Sequence, residues 1–134
     1  MIEVVSRQRR VRIDTDAWAD FAAKALDAIG RSGSSATIAF VSDKSIRKLN
    51  QQFRGIDKAT DVLSFPADEA DLLGDVAVSV DTAAAQAKEN GLTFENEIAQ
   101  LILHGLLHLS GYDHETDNGE MNRFELRLRR KLKI

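Results

Sequence analysis

The histidines are the residues of this chain most able to do chemistry, because all three fall in one short segment as His104, His108 and His114. Residues four apart on a helix lie on the same face, one turn apart, so His104 and His108 can direct both imidazoles at one ion. Gly111 follows at a position where helices commonly end in a left-handed turn, and such a turn brings His114 back towards them. The segment therefore predicts a metal site with three nitrogen ligands.

The ligand set also indicates the metal and its use. The chain has no cysteine, so thiolate ligands are excluded, and three imidazoles favour zinc. A structural zinc normally has four protein ligands, whereas three leave a position for a water molecule, whose pKa the zinc lowers to about 7. A single histidine on an apolar helix face is usually a core residue, but several imidazoles buried among leucines without a common partner would be costly. We therefore expect one Zn²⁺ and a hydrolytic reaction.

The spacing of the histidines matches the zinc-protease motif H-E-x-x-H-x-x-G-x-x-H except at its second position, which is Gly105. That position normally carries the glutamate that acts as general base. Without it, peptide hydrolysis by the usual mechanism has no proton acceptor in the expected place. A metalloprotease is therefore the less favoured kind of hydrolase.

The elements around the histidines follow from hydrophobic periodicity and capping residues. A first strand is expected over 2–5 and again over 11–13, with an interruption between these two ranges. Further strands are expected over 36–41, 60–65 and 74–80. Helices are expected over 14–29, 42–54, 81–90, 93–109 and 117–132. Apolar residues on nearly every side of 93–109 predict that the histidine-bearing helix is buried centrally. This order of elements predicts a small α/β layer structure.

Length and composition set further bounds. The 134 residues match one ordinary domain and show no internal repeat or linker, so a single domain over 1–134 is expected. Neither a signal peptide nor an apolar run of membrane-spanning length is evident, which predicts a cytoplasmic protein without a membrane partner. The net charge of −3 argues against a protein that coats nucleic acid generally, but leaves room for a local basic groove.

Four sequence blocks in order carry a family resemblance. They are L-N-x-x-F-R-G at 49–55, T-D-V-L-S-F-P at 60–66, L-G-D at 73–75 and H-G-L-L-H-L-S-G-Y-D-H at 104–114. With them the chain resembles, over most of its length, the YbeY family of bacterial rRNA maturation factors, which are described as metal-dependent endoribonucleases. The resemblance implies a fold of the α/β (α+β) class, with a mixed four-stranded sheet packed with about five helices.

The resemblance also implies roles for individual residues. His104, His108 and His114 become the zinc ligands, and Arg54 becomes a catalytic residue that faces the metal cleft. By sequence alone Arg54 is an ordinary arginine at a helix end. An arginine beside a Lewis-acidic ion suits phosphodiester cleavage, because both cations oppose the charge that accumulates on the non-bridging oxygens.

The function that the resemblance implies is that of a zinc-dependent single-strand endoribonuclease in 16S rRNA 3′-end maturation and ribosome quality control. Its expected partners are single-stranded RNA or pre-rRNA and the small ribosomal subunit with its assembly proteins, but not DNA. The alternatives are a ribosome assembly factor with a structural zinc and, with less support, the metalloprotease. Either zinc-bound water or the ribose 2′-hydroxyl could be the nucleophile.

Four polar residues near these motifs have two interpretations each. Thr60, Asp61 and Ser64 could orient the metal site or contact RNA, or they could only cap their own loop. Asp113 could hold a ligand imidazole or only close the turn after the helix.

Overall fold

A mixed four-stranded sheet with five helices forms the part of the chain that the structure, a computed structural model, describes: residues 1–67, 69, 71–113 and 116–134. The strands are β1 (Ile2–Ser6), β2 (Ser35–Val41), β3 (Val62–Pro66) and β4 (Leu72–Ser79). The helices are α1 (Thr15–Ile29), α2 (Asp43–Arg54), α3 (Val80–Asn90), α4 (Phe94–Leu109) and α5 (Glu120–Leu132). The expected α/β class, sheet and helices are confirmed.

The strands lie in the order β1-β2-β4-β3. β1 and β2 pair in parallel, as do β2 and β4, whereas β3 pairs with β4 in the antiparallel direction. β3 is an edge strand, where Pro66 is tolerated because its missing N–H is not needed for pairing. The register sets Ser64 of β3 opposite Val76 of β4.

The two faces of the sheet pack against different helices, as the two-residue periodicity of strands requires. Phe40 and Val76 belong to the main core, together with buried residues of α1, α3, α4 and α5. Leu63 and Ala77 point to the opposite face, where Ile46 of α2 covers them. The layers are therefore α2, the sheet and the other four helices.

α4 is the central helix of the larger layer and contacts β3, β4, α1, α3 and α5. Its N-terminus is capped by the side chain of Thr93, which accepts a hydrogen bond from the backbone N–H of Asn96. The helix buries residues on nearly all sides: Glu97, Ile98, Ala99, Leu101, Ile102, Leu103, Gly105, Leu106, Leu107 and Leu109. The prediction that the helix carrying His104 and His108 is buried at the centre of the domain is confirmed.

One predicted strand segment and the predicted start of the last helix were wrong because polar side chains hold the backbone instead. Residues 11–13 form no strand, since the side chain of Gln8 bonds the backbone of Arg10 and Val11. α5 begins at Glu120 and not at 117, because the Asp117 carboxylate accepts hydrogen bonds from the N–H groups of the residues at 119 and 121.

Gly105 allows α4 to approach the sheet closely. A Cβ added there would lie 2.7 Å from Cγ1 of Val76 and 3.3 Å from Oγ of Ser64. The hydroxyl of Ser64 donates a hydrogen bond to the Gly105 carbonyl at 3.2 Å. The close approach thus fixes the distance between the histidine-bearing helix and strands β3 and β4.

Replacing Gly105 by alanine should destabilise the fold, although alanine normally favours a helix by about 1 kcal/mol over glycine. We expect Gly105→Ala to lower the free energy of unfolding by about 1–3 kcal/mol, because the added methyl overpacks against Val76. Urea unfolding measures the effect. In the double variant with Val76→Ala the loss should be smaller than the sum of the two single losses. Unchanged or increased stability of Gly105→Ala would show that the contact is not restrictive.

Candidate metal centre and cleft

α4 brings two of the predicted ligands together. His104 and His108 are one helical turn apart and half-buried, and their Nε2 atoms lie 3.1 Å apart. Their rings meet nearly edge to face, with centroids 4.7 Å apart. Both imidazoles therefore direct the same nitrogen at one point.

A carboxylate on α5 orients the first imidazole. Nδ1 of His104 lies 2.8 Å from Oε1 of Glu125, and an ionised carboxylate can only accept, so Nδ1 carries the hydrogen. In the neutral ring this leaves the lone pair on Nε2, which faces His108. A carboxylate that holds the outer nitrogen of a histidine is the usual support of a metal-binding imidazole.

Glu125 is itself held in place and charged. It is only 6% exposed, and its second oxygen accepts a hydrogen bond from Nη2 of Arg129 at 2.6 Å. Burial by itself raises the pKa of Glu125, but the hydrogen bonds and charges of His104 and Arg129 outweigh burial and hold that pKa below its ordinary value. The carboxylate is therefore ionised at neutral pH, as an acceptor for Nδ1–H must be.

The two imidazoles fit a zinc ion. Zinc–nitrogen bonds at tetrahedral angles place neighbouring ligand nitrogens about 3.3 Å apart, which is close to the separation of 3.1 Å between the two Nε2 atoms. Within the described ranges, no group of three His, Asp or Glu side chains could hold an ion. The predicted third ligand, His114, lies outside the described residues.

A cleft of about 500 Å³ opens beside the two histidines. It is lined by Arg54, residues 60–64, Pro66, His104, His108 and residues 111–113. The guanidinium of Arg54 is exposed and forms no hydrogen bond or ion pair with the residues that the structure describes. Gly55, in the left-handed conformation at φ 71°, ends α2 directly after it. The cleft thus combines two imidazoles with an arginine that no acid neutralises within the described structure.

Four polar residues that the sequence left with either a site role or a structural role all line this cleft: Thr60, Asp61, Ser64 and Asp113. Asp61 also accepts a hydrogen bond from the backbone N–H of Val62 at 2.7 Å, and the Asp113 carbonyl accepts one from the N–H of Asp117 at 3.2 Å. Ser64 bonds the backbone of α4. Each of these three therefore has a structural contact as well as a place in the cleft.

Sequence reasoning missed Glu125 and Arg129. The signal was present, because Glu125 interrupts the inner stripe of α5 between the buried Met121 and Leu128. A charged residue in such a stripe is seldom buried without a partner. The partner, His104, lies on another helix and could not be identified from helical spacing.

Neutralising Glu125 should weaken metal binding more than it weakens the fold. We expect Glu125→Gln to lower zinc affinity about 10–100-fold, because the ring of His104 loses its ionised acceptor. Competition with a chromophoric chelator measures the affinity, and circular dichroism checks the fold. Glu89→Gln, at an exposed position of α3, serves as the control. Equal zinc affinity of wild type and Glu125→Gln would contradict the supporting role.

No helix in the described part of the chain is both long enough and apolar enough to cross a membrane.

Comparison with known proteins gives one consistent relationship. The sequence profile of the family "Endoribonuclease YbeY" matches residues 3–133. An endoribonuclease YbeY of Koribacter versatilis is 42% identical over 131 residues, which cover 98% of this chain and 86% of the relative. One of Aquifex aeolicus is 43% identical over 123 residues, covering 88% and 80% respectively. A Thermotoga maritima protein solved in solution superposes with a TM-score of 0.70 at 31% identity, covering 98% of this chain and 89% of that one. The chain therefore belongs to the endoribonuclease YbeY family.

Proposed function

We propose that this chain is a zinc-dependent endoribonuclease that cleaves single-stranded RNA. The observation that carries the proposal is that the neighbouring Nε2 atoms of His104 and His108 share a cleft with the guanidinium of Arg54, which has no acidic partner among the described residues. Membership of a family whose relatives are named endoribonucleases supports the choice of RNA as substrate.

His104, His108 and His114 are the proposed ligands of one zinc ion. The chain turns at Gly111, where φ is 98°, and Asp113, the residue directly before His114, lines the cleft. A zinc ion held by these residues would act as a Lewis acid towards the phosphoryl oxygens. Glu125 keeps the ring of His104 in the required tautomer.

Arg54 is the proposed catalytic residue that stabilises the negative charge of the substrate's phosphodiester. Its planar guanidinium can donate two parallel hydrogen bonds to the non-bridging oxygens of a phosphodiester. Because Arg54 has no acidic partner in the described residues, no ion pair with any of them has to break before the phosphate binds. These interactions strengthen as charge accumulates on the oxygens in the transition state.

The proposed cellular role is maturation of the 16S rRNA 3′ end and ribosome quality control in the cytoplasm. Residues 1–134 would act there as one domain on pre-rRNA, together with the small ribosomal subunit and its assembly proteins. The support for this role is the family relationship.

The packing of Gly105 argues against a metalloprotease. A glutamate at this position would need a Cβ only 2.7 Å from Val76 Cγ1, so the usual general base does not fit. Turnover of a peptide by the zinc-loaded protein would contradict this argument.

Loss of a proposed ligand should abolish RNA cleavage, and reversal of the charge of Arg54 should slow it strongly, without unfolding the protein. We expect one zinc per wild-type chain by elemental analysis, and loss of both zinc and cleavage in His108→Ala and His114→Ala.

Arg54→Glu should retain zinc but cleave at least about 100-fold more slowly, because a phosphate then meets a negative charge. Arg54→Lys should recover part of the rate, since lysine keeps the positive charge but cannot donate two parallel hydrogen bonds. Arg9→Glu, another exposed arginine, is the matched control; cleavage that survives in purified His114→Ala and Arg54→Glu would refute the proposal.

Metal removal separates the enzyme from the assembly factor with a structural zinc. For the enzyme, chelation should stop cleavage while far-UV circular dichroism and binding to small subunits persist, because the described core consists of packed apolar side chains. Unfolding on chelation, together with cleavage that does not depend on the histidines, would favour the assembly factor. The RNA ends identify the nucleophile: 2′,3′-cyclic phosphates indicate the ribose 2′-hydroxyl, and linear phosphates indicate water.

A further inference from the structure

An aromatic pair, of which one ring is exposed and the other partly buried, lies beside the cleft and has no role in the cleavage chemistry. Phe53, the residue before Arg54 in α2, is 60% exposed. Its ring meets that of Phe65 in β3 edge to face, with centroids 5.1 Å apart and an interplanar angle of 64°. Among the large apolar residues described as exposed, Phe53 is the only aromatic one.

Packing against the rest of the protein explains only part of why a phenylalanine stands at position 53. Phe53 continues the apolar face of α2 that begins with Ile46 and Leu49, and its contact with Phe65 covers the edge strand. Phe53 nevertheless remains 60% exposed, so a ligand that covers its ring would remove further apolar surface from water.

The aromatic pair is continuous with the proposed active site. Phe53 and Phe65 line a hollow of about 460 Å³, together with Arg54, Leu63, Ser64 and Pro66. The latter four residues also line the cleft of His104 and His108. A chain that passes through the cleft can therefore reach the aromatic rings without leaving a continuous surface.

The chemistry of this surface selects one kind of occupant. An exposed aromatic ring beside a guanidinium offers stacking for a base and a positive charge for its phosphate, which is the combination that binds single-stranded nucleic acid. We propose that Phe53, supported edge-on by Phe65, is a stacking platform for an unpaired RNA base next to the phosphodiester that Arg54 contacts. The inference rests on the proposed function and adds a binding subsite to it.

The platform is tested by binding, in EDTA so that no cleavage competes, with labelled single-stranded RNA and with an abasic ribose-phosphate chain of equal length. Fluorescence anisotropy at fixed ionic strength gives the affinities. We expect Phe53→Leu to bind the RNA about 5- to 50-fold more weakly and the abasic chain equally well, because leucine keeps the contact with Phe65 but has no π-face. Phe53→Trp should restore binding. Arg54→Ala should weaken binding of both chains.

Controls make the result specific. Ile56→Ala removes an exposed apolar side chain just beyond the same helix end, outside the hollow, and should bind like wild type. Thermal unfolding shows whether Phe53→Leu remains folded. Unchanged RNA affinity of Phe53→Leu, or equal losses for RNA and the abasic chain, would overturn the platform while leaving the endoribonuclease proposal intact. A wild-type protein that binds neither chain, in EDTA or loaded with zinc, would overturn both.

Discussion

The close packing of α4 against β3 and β4 determines the geometry of the rest of the site. At Gly105 the helix backbone approaches Val76 and Ser64 so closely that a methyl group does not fit. This approach keeps His104 and His108 beside the edge strand, from which residues 60–64 extend along the cleft. A helix displaced outward by the width of one methyl group would widen the cleft and separate the imidazoles from β3.

A second constraint is electrostatic and joins α4 to α5. Glu125 is almost completely buried, and such a carboxylate is tolerated only when hydrogen bonds and opposite charges compensate for the lost water. His104 and Arg129 provide both, one to each oxygen. The C-terminal helix therefore does more than cover the core, because it also determines which nitrogen of His104 carries the proton.

The cleft is assembled from three separate parts of the chain. The end of α2 supplies Arg54, the segment into β3 supplies residues 60–64, and the end of α4 supplies the histidines and residues 111–113. α2 packs on the opposite face of the sheet from α4, so the two meet only around the β3 edge. An edge strand is suited to this arrangement, since it leaves one side open to a substrate chain.

The sequence by itself determined that His104 and His108 share one helix face, that the helix carrying them is buried, and which class the fold belongs to. Helical spacing, apolar residues on nearly all sides of 93–109, and alternation in the strands are local patterns, and they survive in the structure because tertiary packing uses the same faces. Local patterns failed at 11–13 and 117–119, where the side chains of Gln8 and Asp117 bond the backbone in place of regular structure. The convergence of Arg54 with the histidines was available only through family resemblance. The partnership of Glu125 with His104 and the exposure of Phe53 were decided by the tertiary structure alone, because each depends on how far one element lies from another, and residue spacing along one helix or strand carries no such distance.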